Sequence, residues 1–142
     1  MYKYLTLIVV CTLLLTGCGE NDRNKTLTCI VGLDEEKITM TYSFRDGRVY
    51  LLDWTINMQS NLVEDSEIYR KMFLKINDIA GCTGTFTKNS DGTYTTNQIC
   101  NLSKMSNEDV RAVYMQDKID LEQTRQEIID YYSTFDPRVK CE

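Results

Sequence analysis

The sequence contains no histidine. That removes Ser-His and Cys-His nucleophilic pairs, imidazole general-base chemistry, and the histidine ligands on which most zinc and copper sites rely. Paired carboxylates or a Ser-Lys dyad are the catalytic arrangements left open. Positive charge is also scarce: 16 Lys and Arg face 21 Asp and Glu, for a net charge of −5. Such a balance argues against a nucleic-acid footprint and against electrostatic adhesion to anionic lipid heads. No two cysteines have the C-x-x-C spacing of a redox motif or a zinc knuckle. There is one proline, Pro137, and no internal repeat or low-complexity tract. No apolar run approaches the roughly 20 residues of a bilayer-spanning helix.

The longest apolar run that is present, residues 5–15, follows Lys3 and the free amine and is about half that length, which suits a secretory signal core. It ends in Leu15-Thr16-Gly17-Cys18, which resembles the bacterial lipobox, where the cysteine becomes the first mature residue and its sulfur carries a diacylglyceryl group. At about 0.8 kcal/mol per buried CH₂, two or three acyl chains on Cys18 give stable anchoring where one chain would not. The expected division is a signal peptide over 1–17, a lipid-bearing Cys18 with a polar tether to 25, and one domain over 26–142. The first cut removes Lys3 alone among the charges, leaving 15 basic residues against 21 acidic ones, about −6 net. The expected address is the extracytoplasmic face of the cell membrane, with the membrane itself as the first partner.

Of the six cysteines, Cys11 leaves with the signal and Cys18 takes the lipid, so Cys29, Cys82, Cys100 and Cys141 remain for two disulfides. Three connectivities are possible, and strand register chooses between them. Between Cys82 and Cys100, β-favouring Thr, Phe and Tyr flank Ser90-Asp91-Gly92. A three-residue loop ending in glycine is a type I turn closed by a bulge, because glycine accepts the left-handed conformation needed at the third position. Asn89 then faces Thr93 and Cys82 faces Cys100 on a non-hydrogen-bonded rung, within disulfide range. A two-residue Asp-Gly loop would set Cys82 against Asn101 instead. Cys29 and Cys141 form the other pair. By loop-closure entropy the shorter link is worth about 3 kcal/mol and the longer about 4 to 5.

Thr26 begins a first strand in which Leu27, Cys29 and Val31 alternate with polar neighbours up to Gly32. A second strand places Ile38, Met40, Tyr42 and Phe44 on one face; a third places Tyr50, Leu52, Trp54, Ile56 and Met58 on one face. Both sets are even-numbered, so they share a face only if paired positions sum to an even number. A three-residue Arg45-Asp46-Gly47 turn satisfies this and sets Tyr42 against Tyr50, Met40 against Leu52 and Ile38 against Trp54. Asn61-x-x-Glu64 has the capping-box spacing for a helix with Ile68, Met72, Ile76 and Ile79 inward, stopped at Gly81. Ser106-x-x-Asp109 opens a second helical start carrying Val110, Val113 and Tyr114. Asp120-x-x-Gln123 caps a further stretch with Leu121, Thr124, Ile128, Tyr131 or Tyr132, and Phe135 on a face; one continuous helix over this region is the alternative. Pro137 ends it, and Val139, Lys140 and Cys141 are extended. The resulting class is α+β: an antiparallel sheet in the order βββ-α-ββ-α, helices packed on one face, stapled by two disulfides.

The lipobox at 15–18, the Lys25-Thr26-Leu27-Thr28-Cys29 opening, the amphipathic strand pair and the closing Val139-Lys140-Cys141-Glu142 together make the chain resemble a family of small uncharacterised bacterial lipoproteins. These come mostly from Gram-positive gut bacteria and are related in plan to the YehR-like lipoproteins. The resemblance implies the fold and the address and brings no catalytic residues. Its members are richer in lysine and commonly lack the middle cysteine pair, so Cys82 and Cys100 are a departure.

The candidate binding residues are Tyr94, Asn97 and Gln98 of the cysteine hairpin, a ring with hydroxyl and amide neighbours that suits a cell-wall component or an envelope protein. Trp54 falls on the inward row and reads as core. Asn89-Ser90-Asp91-Gly92 has half the ligands of a calcium loop and reads as a turn. The acidic groups Asp34-Glu35-Glu36 and Glu64-Asp65 read as solvated turn and first-turn residues. No metal, cofactor or catalytic residue is expected. The sequence thus points to a non-enzymatic envelope binding module, with a disulfide-stapled inhibitor of an exported hydrolase as the alternative.

Overall fold

The structure, a computed structural model, describes residues 26–32, 36–59 and 66–142. The signal segment, Cys18, the tether, the Asp34-Glu35 turn residues and the Asn61-x-x-Glu64 cap lie outside the described residues. The described residues form six strands: β1 (Thr26–Gly32), β2 (Glu36–Arg45), β3 (Arg48–Met58), β4 (Cys82–Lys88), β5 (Tyr94–Asn101) and β6 (Lys140–Cys141). The helices among the described residues are α1 (Ser66–Leu74), which continues as a 3₁₀ turn over Lys75–Asp78, then α2 (Asn107–Tyr114), α3 (Lys118–Leu121) and α4 (Arg125–Phe135). The strands form one antiparallel sheet in the order β4-β5-β3-β2-β1-β6.

Its inward row comes from side chains two apart on each strand, as the alternation requires. Leu27 and Cys29 of β1, Met40, Tyr42 and Phe44 of β2, Leu52 of β3 and Cys100 of β5 are buried together with Val110 of α2 and Ile128 of α4. Thr28, Thr41, Thr55, Thr95 and Asn97 occupy the opposite parity. There they hydrogen-bond one another or neighbouring polar groups, as in Thr28 to Thr41 and Asn97 to Thr55.

The β2–β3 connection satisfies the even-sum requirement by a different device from the one expected. Its turn has two residues, Asp46 and Gly47, both at positive φ (53° and 79°), which matches the twist of the flanking strands. Arg45 faces Arg48 and Phe44 faces Val49, but Ser43 faces Leu51. Tyr50 is therefore an extra residue, a β-bulge, and past it Tyr42 faces Leu52, Met40 faces Trp54 and Ile38 faces Ile56. The expected pairings of Tyr42 with Tyr50, Met40 with Leu52 and Ile38 with Trp54 are each displaced by two. The bulge also exchanges the roles of two neighbours: Val49 is buried in the core, while Tyr50 carries the Arg45 guanidinium 4.3 Å from its ring centroid.

The cysteine hairpin has the expected register. Gly92 takes φ 87°, Asn89 N–H donates to Thr93 O at 2.8 Å, and Cys82 faces Cys100. Both disulfides are formed, with Cα separations of 4.1 Å for Cys82–Cys100 and 4.0 Å for Cys29–Cys141. The second holds β6 against β1, where Thr28 and Glu142 exchange backbone hydrogen bonds at 2.9 Å.

Helix α1 presents a different face from the one expected. Ile68 and Met72 are 64% and 54% exposed, while Tyr69 and Phe73 pack on a second cluster with Met58, Tyr94 and Phe86. The switch to a 3₁₀ turn at Lys75 brings Ile76 inward and onto Gly84 of β4. A Cβ at Gly84 would stand 2.3 Å from Ile76 Cγ2. Beside this contact the Asn77 amide pairs with the Gly84 backbone, accepting from N–H at 2.6 Å and donating to O at 3.1 Å. The free edge of the outermost strand is closed there by a side chain that imitates a neighbouring strand.

Ser106 and Asp109 form the expected capping box of α2. The region after it is broken into two helices, and the cap of the longer one is not at Asp120. Thr124 caps α4, its hydroxyl accepting from Glu127 N–H while the Glu127 carboxylate accepts from Thr124. Thr124 is thus a cap rather than a face residue, and Phe135 is 71% exposed.

Candidate functional site

The three hairpin residues named from sequence do not come together. Tyr94 is buried, its ring 5.4 Å from Phe86, in the cluster that seats α1. Gln98 faces Trp54 and Gly84 across the ladders. Asn97 has the opposite parity and donates to Asp53 Oδ1 at 2.6 Å and to Thr55 Oγ1 at 2.9 Å. An odd-numbered residue between two even ones points to the other side of a strand. The Asp91 carboxylate accepts from both the N–H and the hydroxyl of Thr93, at 3.0 and 2.7 Å, which lowers its pKa; it is a turn residue, as read from sequence. No group of three or more Cys, Asp or Glu able to hold a metal ion occurs among the described residues.

A concave site lies instead between the sheet and the C-terminal helices. Its floor is Tyr42 of β2 with Leu52 and Trp54 of β3. Tyr114, at the end of α2, closes one side. The chain leaves α2 there through Met115 in a left-handed cap (φ 56°), which carries Gln116 to the rim. Ile128, Tyr131 and Tyr132 of α4 close the other side. Gln123, in the link between α3 and α4, is held by its own backbone: Val49 N–H donates to Gln123 O at 3.0 Å, and Arg48 Nη1 donates to Glu122 O at 2.8 Å. The β3 segment preceding the bulge therefore anchors the link that borders the cavity. The cleft is partly open to solvent and has a volume of about 210 Å³.

The walls are aromatic and uncharged. Trp54 and Tyr114 meet edge to face with centroids 5.7 Å apart, and Tyr131 and Tyr132 do the same at 5.3 Å. The Tyr42 and Tyr132 hydroxyls share a hydrogen bond of 2.8 Å, and the Tyr132 hydroxyl also reaches Met40 Sδ at 3.1 Å. Burial first, then the proximity of Tyr132, pushes Tyr42 far above the ordinary phenol range. Burial likewise raises Tyr132 and pushes Tyr114 up to about 12. These phenols keep their protons at any pH a cell reaches. Trp54 Nε1–H is buried without a hydrogen-bond partner, whereas buried polar side-chain atoms are nearly always paired.

The inward direction of Trp54 was legible from sequence; its place in a cavity wall was not. The available signal was the convergence of Tyr114, Tyr131 and Tyr132, all C-terminal, on an inward row that already holds Tyr42 and Trp54. Five large rings and a helix break at Glu122 leave shapes that do not close-pack.

No family model matches the chain, and no curated protein matches it. Among solved structures, the NMR structure of the YehR protein of Escherichia coli is similar with a TM-score of 0.60 and 15% identity, over 80% of this chain and 90% of that one. The NMR structure of a protein from Streptococcus pneumoniae TIGR4 is similar with a TM-score of 0.58 and 11% identity, over 88% and 90%. Identities this low establish a shared fold, which extends over most of the chain.

Proposed function

We propose that the protein is a non-enzymatic binding module, tethered by a lipid on Cys18 at the extracytoplasmic face of the membrane, that takes its ligand in the aromatic cavity. The observation that supports the binding part is the cavity wall, which is concave and ring-lined and is bordered by no Asp, Glu, Lys or Arg. The tether rests on Leu15-Thr16-Gly17-Cys18 behind a short apolar run, and two disulfides suit an oxidising compartment. No helix among the described residues is long and apolar enough to cross a membrane, so an acyl anchor is the attachment this reading needs. The hairpin-inhibitor reading has less geometric support, because β5 is an interior strand between β4 and β3.

Fractionation of cells expressing wild type and Cys18→Ser tests the tether. Wild type is expected in the membrane fraction and Cys18→Ser in the soluble exported fraction; equal partition of the two refutes it. A pull-down from the envelope with the Cys18→Ser chain, repeated with Leu121→Phe to fill the cavity, tests the site. Unchanged recovery of every bound component refutes the cavity as the binding region.

A further inference from the structure

Resting on the cleft as the ligand site, we infer its ligand class: a quaternary ammonium group, the rounded trimethylammonium head of a larger molecule, held against the rings by cation–π attraction. Three observations converge on this class. The first is the arrangement of the rings. Trp54 and Tyr114 stand at 72° to each other with centroids 5.7 Å apart, and Tyr131 and Tyr132 at 77° and 5.3 Å. All four border the cleft, as does Tyr42. Rings set nearly at right angles meet as corners, so the cleft is walled in more than one direction. A flat ligand stacks on one such plane at a time, whereas a rounded cation comes within reach of several. A cation over the face of Trp or Tyr is attracted by the ring quadrupole, and cages of such rings suit quaternary ammonium groups.

The second is the kind of charge these walls accept. No Asp, Glu, Lys or Arg borders the cleft, burial keeps the Tyr42, Tyr114 and Tyr132 phenols protonated, and the Tyr42 and Tyr132 hydroxyls are engaged with each other. A carboxylate meets no cation there. A primary ammonium has three N–H donors to satisfy and loses water at each. A quaternary ammonium has no N–H, spreads its charge over its methyl groups, and keeps part of its hydration because the cleft is partly open.

The third is the field at the mouth. The chain has a net charge of −5. Gln116 of the rim shares a neighbouring hollow with Asp117 and Asp120, and Gln123 shares another with Asp120, Glu122 and Glu127. Arg111 of the first hollow is ion-paired with Asp117, and Arg48 of the second bonds the Glu122 carbonyl. Carboxylates therefore outnumber guanidinium groups around the opening, which concentrates cations there and repels anions.

The test is a titration at constant ionic strength of the ¹⁵N-labelled Cys18→Ser chain with both disulfides formed, using choline, its uncharged carbon isostere neohexanol, ethanolamine, phosphocholine and glycine betaine. The one tryptophan of the sequence gives a single indole cross-peak that reports on the floor of the cleft. Choline is expected to bind saturably, with neohexanol about tenfold weaker and ethanolamine giving no saturable shift. Phosphocholine or glycine betaine binding at least as tightly as choline would support the inference and identify the group bearing the head as a phosphate ester or a carboxylate. Tyr131 is 51% exposed, so its replacement leaves the core intact. Tyr131→Leu should weaken choline about fivefold and leave neohexanol within about twofold, while Tyr131→Phe, which keeps the ring face, should hold choline within about twofold of wild type. Neohexanol binding as tightly as choline, or choline binding unmoved by Tyr131→Leu, would overturn the cation–π cage while leaving the cleft a ligand site. Failure of every trimethylammonium probe to bind would overturn the ligand class, and the envelope pull-down with Leu121→Phe then decides separately whether the cleft binds at all.

Discussion

Replacing Gly84 with alanine should be among the costlier single-methyl additions in this protein. The added Cβ would sit 2.3 Å from Ile76 Cγ2 and 3.3 Å from the Phe73 carbonyl oxygen, so the 3₁₀ turn must retreat from β4. Overpacking of this kind costs about 1 to 3 kcal/mol. Retreat also stretches the two hydrogen bonds between Asn77 and the Gly84 backbone, worth about 0.5 to 1.5 kcal/mol each. Allowing for a partial loss of those bonds, the expected destabilisation is about 2 to 4 kcal/mol, offset by a few tenths from the better strand propensity of alanine. Urea unfolding followed by far-ultraviolet circular dichroism, with both disulfides intact, reads it as a lower midpoint at constant slope. Ile76→Ala removes the clashing methyl, so the double variant should be less destabilised than the sum of the singles by about 1 to 3 kcal/mol. A Gly84→Ala cost below about 0.5 kcal/mol, or strict additivity with Ile76→Ala, would refute the close-contact reasoning.

Three further outcomes follow from the geometry. Thr124→Ala should cost about 1 kcal/mol through loss of the α4 capping box, whereas Asp120→Ala, at the cap position suggested by sequence, should change the unfolding midpoint little; reversed effects would place the cap at Asp120. Because the Tyr114 phenol is raised from 10.0 to about 12 in the fold, its contribution is fully present below pH 10 and is lost as pH rises from there through 12. Absorbance at 295 nm should therefore show late tyrosine ionisation coinciding with unfolding, and Tyr114→Phe should reduce the alkaline loss of stability. Replacing the Cys29 and Cys141 pair by alanine should lower stability by about 4 to 5 kcal/mol and the Cys82 and Cys100 pair by about 3, following their loop lengths; an inverted order in equilibrium unfolding would contradict the loop-closure account.

The legibility of this fold varies with how local its determinants are. The cysteine hairpin was readable because Gly92 fills a position that demands positive φ, and one turn then sets every rung out to Cys82 and Cys100. The β2–β3 pair was half readable. Parity of the apolar rows demands an even register, but a two-residue turn with the bulge at Tyr50 and a three-residue turn with its bulge at Gly47 meet that demand equally, and the packing of Val49 goes with the first. In α1 the aliphatic spacing points to Ile68 and Met72, whereas the larger rings of Tyr69 and Phe73 have Phe86 and Tyr94 to pack against, a contact made across the chain. The candidate site was the least readable part. Tyr94, Asn97 and Gln98 are near in sequence, but the strand sets Asn97 on the face opposite to the other two. The cavity is defined by Trp54 and four tyrosines failing to fill the space between them, and a void leaves no pattern of its own in a sequence.

The link between Cys29 and Cys141 has a mechanical side. Helix α4 leads within a few residues to β6, and Cys141 of β6 is bonded to Cys29 of β1 across a sequence separation of 112. With the proposed tether ahead of Thr26 and the proposed ligand held against α4, tension would run along residues 26–29 of β1, through one sulfur–sulfur bond, and back into the helix. Strands β2 to β5 lie outside that covalent path, so a load on the occupied site would be borne without unzipping the sheet.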